Sequence, residues 1–320
     1  MIYVKYSEKL ATIISITGKK QEDLAKYFGV TFSAFNRWLH SKAMPRTKVA
    51  ENIDQYLEEV SGGKKTYQIL KMNPYVVKDE AIKSEQKRHK KIIDTILQYP
   101  DIRDQLILSL TYHSNKIEGS TLSEVETARV IFHNTALKNK TLVEQLEAKN
   151  HQTALLYMFE CVSKNKAIDE QFILKIHSIL MNSIRYDAGI YRNHSVRIVG
   201  SFVPTANHIS ISRLMRELAV DIQKSFKHSN YKNNFIKVTA RIHARFEKIH
   251  PFSDGNGRVG RILLQAMLLK SNLAPALIVQ QKRSLYYKAL QKAQLKEEYE
   301  DIEEFIMDAV LAGYRLVDRR

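Results

Sequence analysis

The stretch IHPFSDGNGRVGR, Ile249 to Arg261, decides how this chain is read. It sets a histidine, an aspartate, a Gly-Asn-Gly turn and two arginines side by side. Upstream, Phe235, Val238, Ile242, Phe246 and Ile249 recur at spacings of three and four, the pattern of a helix with one buried face. Pro251 stops that helix, because a proline pushes the residue before it out of the helical region. Downstream, Val259, Ile262, Leu263, Ala266 and Met267 resume the helical period, so a second helix is predicted from near Asn256. The glycines therefore stand at a helix N-terminus. Such an end presents unpaired N–H groups and the positive end of the helix dipole. Glycine lets an anion approach the backbone closely. Arg258 and Arg261 share one face of the first turn and can reach the same anion.

Two arginines on a helix N-terminus make a polyphosphate cradle. Asp254 at its mouth can hold Mg²⁺ against phosphate oxygens. His250 can take a proton from a hydroxyl at the edge, the work of a group titrating near neutrality. Together these parts specify phosphoryl or nucleotidyl transfer. Each residue alone reads as well as part of a helix-ending turn with solvated arginines and a core histidine. The combination favours the cradle.

The rest of the chain fits a helical protein around that loop. There are 320 residues, 44% hydrophobic, with only 11 Gly and 6 Pro, so a large helical core plus a small module is expected. Cys161 is the single cysteine, which fits a reducing compartment. The run ILLQAMLLKSNLAPALIV, Ile262 to Val279, is broken by Gln265, Lys270, Asn272 and Pro275 and reads as a buried helix and loop, not a membrane span. No signal-peptide pattern opens the chain, and a cytoplasmic protein is expected. A net charge of +16 invites polyanionic partners, though a lysine-rich solvated surface explains it equally well. His177 and His243 lie among apolar residues and read as satisfied core histidines, and no spacing suggests zinc. Tyr286 and Tyr287 are open to self-modification, with nothing to single them out.

Organisation follows from composition. Residues 1–62 form a compact helical module. In QEDLAKYFGVTFSAFNRWLHSKAMPR, Leu24, Ala25 and Phe28 share one helical face and Phe35, Trp38 and Leu39 another, separated by Gly29-Val30-Thr31. Residues 63–85 read as a basic linker whose later half begins a helix. From there to residue 320 the period is helical, except in GIYRNHSVRIVGSFVPTANHISI, Gly189 to Ile211. There Val196, Ile198, Ile209 and Ile211 alternate around Gly200 and Pro204, which predicts a short β-hairpin.

HPFSDGNGRVGR resembles the defining motif of the Fic domain family, HPFx(D/E)GNGRxxR, with every fixed position matched. The resemblance covers about the C-terminal three quarters, residues 86–320. It implies an all-α, Fic-type helical bundle with a β-hairpin flap, and transfer of AMP from ATP to Ser, Thr or Tyr hydroxyls of a target protein or of the chain itself. It implies His250 as base, Phe252 as a core residue orienting the loop, and Asp254 as the Mg²⁺ ligand. Gly255, Asn256 and Gly257 would form the anion hole. Arg258 and Arg261 would neutralise the polyphosphate, Arg261 nearest the γ-phosphate. The flap, 199–211, would pair with an extended stretch of target. Ser114-Asn-Lys-Ile-Glu118-Gly119 resembles the family's inhibitory motif, (S/T)xxxE(G/N), in which Glu118 would pair with Arg261 and occupy the γ-phosphate position. Read from residues alone, the same stretch is a helix end followed by a capped helix start.

The N-terminal module resembles a phage-repressor helix-turn-helix, which implies DNA binding through residues 1–62, with the second helix, Thr31 to His40, in the major groove. Ser33, Asn36 and Arg37 are its outward polar candidates, and Lys42 and Arg46 could touch phosphate. Nine Lys and Arg against seven Asp and Glu in residues 1–62 leave charge undecided, and a helical pair used for protein contact is the alternative. Rival readings of the whole chain are a DNA-binding regulator whose Fic domain senses nucleotide or serves as a dimerisation body, and an enzyme whose main reaction is AMP removal. A homodimer is admitted.

Overall fold

Asn256–Lys270 is buried on every side, and that places it at the centre of the protein. Thirteen of its residues, from Asn256 to Leu269 with Gly257 the only gap, are buried. A helix hydrophobic all round must be enclosed by others. The computed structural model describes residues 6–62, 74–198, 200, 202–227 and 235–318.

Among these residues the chain forms fifteen α-helices and no strand. They are α1 (Tyr6–Thr17), α2 (Gln21–Tyr27), α3 (Phe32–Leu39), α4 (Thr47–Val60), α5 (Pro74–Arg88), α6 (Ile92–Gln98), α7 (Pro100–Ile117), α8 (Glu124–His133), α9 (Leu142–Ser163), α10 (Glu170–Leu180), α11 (Ile211–Lys227), α12 (Phe235–Ile249), α13 (Asn256–Lys270), α14 (Arg283–Lys296) and α15 (Glu300–Val317). α12, α9, α10 and α7 pack around α13, and α14 and α15 pack against α12. Among the described residues no helix is long and apolar enough to cross a membrane.

Local chemistry sets the element ends that matter here. Ser123 and Glu126 form a reciprocal capping box that starts α8 directly after the Glu118-Gly119 corner. Thr141 caps α9 and Asp169 caps α10 through their side chains. The helix pair α2 and α3 meets through Phe28, Gly29, Val30 and Thr31, with Thr31 capping α3 and Gly29 in the left-handed region at φ 65°. Leu24, Phe28, Phe35 and Trp38 are buried between them.

Two sequence expectations change. The expected β-hairpin shows no strand among the described residues of 189–211. Ile209 falls in a 3₁₀ turn, His208–Ser210, and Ile211 opens α11, so their alternation with polar residues belongs to helix entry. The two arms are joined by a side chain instead, Thr205 Oγ1 donating to Val196 O at 2.8 Å. Val199 and Ser201 of the flap lie outside the described residues. The linker also shrinks, because Pro74–Arg88 is helical and docked. Lys78 of α5 reaches Glu304 at 2.7 Å and Asp308 at 2.8 Å on α15. Residues 63–73 lie outside the described residues.

The N-terminal helices share the core of the body. α1 packs on α15 and α5, and Arg315 of α15 donates to Thr17 O at the end of α1.

Candidate active site

The loop between α12 and α13 is built from the inside out. Phe252 is fully buried and stacks on the His177 ring, 3.7 Å between centroids and 8° from parallel. Asn256 closes the loop on itself. Its Oδ1 accepts from Phe252 N at 2.9 Å and its Nδ2 donates to Phe252 O at 2.8 Å. His177 Nδ1 accepts from Gly189 N at 2.8 Å, which leaves Nε2–H to donate to Asp254 O at 3.2 Å. Burial holds His177 neutral, its pKa down to about 4, as that pattern requires. It is a satisfied histidine, as its surroundings suggested, and it also fixes the turn.

Gly255 caps α13 in the left-handed region at φ 76°, and a Cβ there would run into Met181. Only glycine fits on both counts. Gly257 faces the carboxylate of Glu118, which occupies the space a Cβ would need. The Glu118 carboxylate therefore stands against the first turn of α13 at Gly257.

Arg258 and Arg261 are both buried, yet they do not converge on one group. Arg258 Nη1 donates to Glu147 Oε1 of α9 at 2.6 Å, and its Nη2 lies 3.7 Å from Asp254 Oδ1. Arg261 turns to α7. Its Nε donates to Ser114 Oγ at 2.9 Å, and its Nη2 donates to Ser114 O at 3.1 Å and Glu118 Oε1 at 2.6 Å. Burial opposes the Arg261 charge, but Glu118 holds its pKa above the ordinary value. Glu118 caps the C-terminus of α7, and Gly119 turns the chain away at φ 104°.

His250 sits at φ 52°, a strained position for a residue with a Cβ. Its Nδ1–H donates to Glu247 O at 3.3 Å, which leaves Nε2 as an acceptor. Burial lowers its pKa, so the imidazole stays neutral at neutral pH. Asp254 is about half exposed at 53%, and its Oδ1 accepts from Gly255 N at 2.6 Å. Among the described residues no three His, Cys, Asp or Glu side chains are grouped to hold a metal by themselves. A lone carboxylate at a phosphate cradle still suits Mg²⁺, which takes one or two carboxylates and completes its shell with phosphate and water.

Three functional residues escaped the sequence reading. Arg192 is buried and ties the loop between α12 and α13 to the flap. Its Nε donates to His250 O at 2.7 Å, Nη1 to His194 O at 2.6 Å and Nη2 to Ala206 O at 2.6 Å. Glu147 is the counter-ion of Arg258. Asp187 accepts from Ser253 Oγ at 2.7 Å, and the Arg185 guanidinium holds its carboxyl down to about 2. No local pattern marks these residues, since each acts across more than fifty positions of sequence. Tyr286 proves unsuited to modification, being fully buried with its hydroxyl 2.7 Å from His243 Nε2. In the N-terminal module Ser33 and Arg37 are exposed, while Asn36 Nδ2 is drawn back to Gln21 Oε1 at 3.3 Å.

Comparison with known proteins agrees with this geometry. The chain is 29% identical over 204 residues to a protein adenylyltransferase Fic of Aedes aegypti, covering 63% of this chain and 40% of that one. It is 30% identical over 184 residues to its namesake in Culex quinquefasciatus, covering 57% and 36%. The chain thus spans less than half the length of these relatives. In fold it resembles a Fic domain containing signaling protein from Bacteroides thetaiotaomicron, with TM-score 0.63, 20% identity and coverage of 75% of this chain and 96% of that one. It also resembles a Fic family protein from Desulfovibrio desulfuricans, with TM-score 0.61, 23% identity and coverage of 76% and 74%. Residues 167–268, which carry the loop, both arginines and nearly all of α13, match the profile of the Fic/DOC family.

Proposed function

We propose that this chain is a protein adenylyltransferase that moves AMP from Mg-ATP to a Ser, Thr or Tyr hydroxyl of a target protein or of itself, and that Glu118 restrains it. The observation that carries this reading is a glycine-capped, arginine-flanked helix N-terminus beside a neutral histidine whose Nε2 is free to accept a proton.

The polyphosphate lies over Gly255, Asn256 and Gly257, where the absence of Cβ atoms at 255 and 257 lets it approach the first turn of α13 closely. Arg258 and Arg261 meet its charge. Asp254 would hold Mg²⁺, which when bound neutralises phosphate charge. His250 Nε2 accepts the proton of the incoming hydroxyl. The hydroxyl oxygen bonds to the α-phosphorus, the bond from that phosphorus to the bridging oxygen breaks, and pyrophosphate leaves. Arg192 keeps the His250 carbonyl fixed, so that the ring points the same way throughout. The flap, 199–211, would align an extended target strand. Its exposed Phe202 and Ile209, 91% and 80% accessible, suit such a contact.

Glu118 competes for the cradle. Its carboxylate on Arg261 takes the place of a terminal phosphate, and its charge repels one. The domain boundaries of this reading are 1–62 for the N-terminal module and Pro74 onward for the helical body, with the inhibitory segment at 114–119. Residues 1–62 would bind DNA through exposed Ser33 and Arg37, with Asn36 once it leaves Gln21. A regulator that only senses nucleotide, or a chain that mainly removes AMP, is the second reading. The neutral, correctly tautomeric His250 favours a chemical role over sensing alone. Homodimerisation belongs with that regulator reading.

The test uses ATP labelled at the α-phosphate with Mg²⁺ and host lysate. Label on protein in Glu118→Gly, but not in Glu118→Gly combined with His250→Ala, supports the transfer, the restraint and the base. Absence of label in every sample overturns the transferase reading in favour of the regulator.

A further inference from the structure

Against Gly260, the residue before Arg261, a carboxylate oxygen is buried with no hydrogen-bond partner among the described residues. Glu247 stands on α12, one turn before His250, and its residue is 8% exposed. Its Oε1 has no hydrogen-bond partner among the described residues. It fills the space where a Cβ of Gly260 would lie, next to the Phe246 ring. A buried carboxylate oxygen without a partner is costly, and an apolar side chain would fill the same space at no such cost. Its presence calls for a reason, and Arg261, the residue after Gly260, supplies one. The Arg261 charge acts on Glu247, and so does the opposing charge of Glu118.

We infer that Glu247 is the buried second carboxyl of the Arg261 site, a positioning residue whose charge state sets how much of the guanidinium's field is left for a nucleotide. This rests on the nucleotide-cradle reading above. The Ser114 and Glu118 contacts of Arg261 both come from the end of α7. When Glu118 gives way to phosphate, Glu247 remains on a different helix, packed against Gly260 next to Arg261. A neutral Glu247 leaves the cation to the nucleotide. An ionised Glu247 pairs with it and weakens the cradle.

The groups around Glu247 make the effect readable. Burial pushes its carboxyl up to about 8. From α13 it faces Arg261, which stays charged. From α14 come Tyr286 and Tyr287, both raised by burial and so protonated throughout. On its own helix His243 is held neutral by burial, down to about 3, and His250 is lowered by burial. From α7 comes Glu118, whose charge adds to the rise and which the test removes. Between about pH 7 and 9 Glu247 is the one of these groups that changes state, and nucleotide phosphates have finished titrating.

The test measures the dissociation constant of ADP, by calorimetry, for the full-length Glu118→Gly protein across that range. Affinity is expected to fall on the order of tenfold as pH rises, the effect of one added negative charge near the cation. Adding Glu247→Gln should abolish that slope and keep the affinity of the low-pH form. A purely structural Glu247 would change the melting temperature and leave the slope. A flat profile in Glu118→Gly, or an unchanged slope in the Gln variant, overturns the inference while leaving the nucleotide reading intact. Should the Gln variant fail to fold, Glu247→Met and the Glu118→Gly profile decide on the same terms. No ADP binding by any variant at any pH overturns the nucleotide reading and this inference with it.

Discussion

Glu118 Oε1 lies 2.6 Å from Arg261 Nη2, and the same carboxylate stands over Gly257 at the mouth of the α13 N-terminus. One side chain thus neutralises the cation and covers the backbone N–H groups that a phosphate would use. Arg261 is 5% exposed and Glu118 34%, so the pair is half in solvent and only Glu118 can leave it. Glu118→Gly is expected to raise both ATP affinity and self-labelling by at least about tenfold, the worth of one charge-assisted hydrogen bond. Its cost in stability should be small, about 1 kcal/mol, because a partly exposed partner is screened by water. Labelling at wild-type level with tighter ATP binding would separate the restraint from the chemistry.

Gly257→Ala asks whether the space or the charge of Glu118 matters. The new methyl displaces the Glu118 carboxylate and also fills the anion hole. ATP affinity is expected to fall in both the wild-type and Glu118→Gly backgrounds, by about tenfold or more. A rise in affinity would mean that the nucleotide avoids the α13 N-terminus.

His250→Ala should remove transfer by a factor of at least about 10² while leaving ATP binding within about twofold, since the ring meets the hydroxyl and not the phosphates. Burial lowers the His250 pKa. The base is therefore neutral at neutral pH, and the rate in Glu118→Gly should hold as pH drops into the ordinary histidine range, falling only below it. A rate limb centred at the ordinary value would mean that His250 is solvated in the working enzyme.

Arg192→Ala tests the link between flap and loop. Three carbonyls, of His250, His194 and Ala206, lose their donor together. A loss of about 2–4 kcal/mol in stability and of 10²-fold or so in turnover is expected, with ATP affinity little changed. Thermal unfolding and labelling of the double variant with Glu118→Gly would read both.

Acid should unfold the protein early. Burial holds His151 and His243 down to about 3, against an ordinary 6.5. Between those values the unfolded chain binds more protons than the folded one, so stability is lost as pH falls from 6.5 toward 3. Denaturant melts at a series of pH values should show this decline, and His151→Asn should shrink it.

The local parts of this protein are legible in its sequence. The spacing from Phe235 to Ile249 and from Val259 to Met267 marks two helices, and Gly-Asn-Gly after Pro251 marks the turn between them, because helix period and turn chemistry act over a few residues. The same locality misled at Ile209 and Ile211. Their alternation suited a strand, but a strand needs a neighbour to accept its hydrogen bonds, and tertiary packing made them the entry to α11. Long-range choices were closed to the sequence. Arg258 and Arg261 share a face on paper, yet Glu147 of α9 takes one and Ser114 and Glu118 of α7 the other. Glu247 reads as an ordinary polar residue of an amphipathic helix until Gly260 of α13 is laid against it. Sequence by itself determined the helices, the turn and the chemical types at the site. Only the tertiary structure decided which charge answers which, because ion pairing and burial depend on distances between helices that no local pattern encodes.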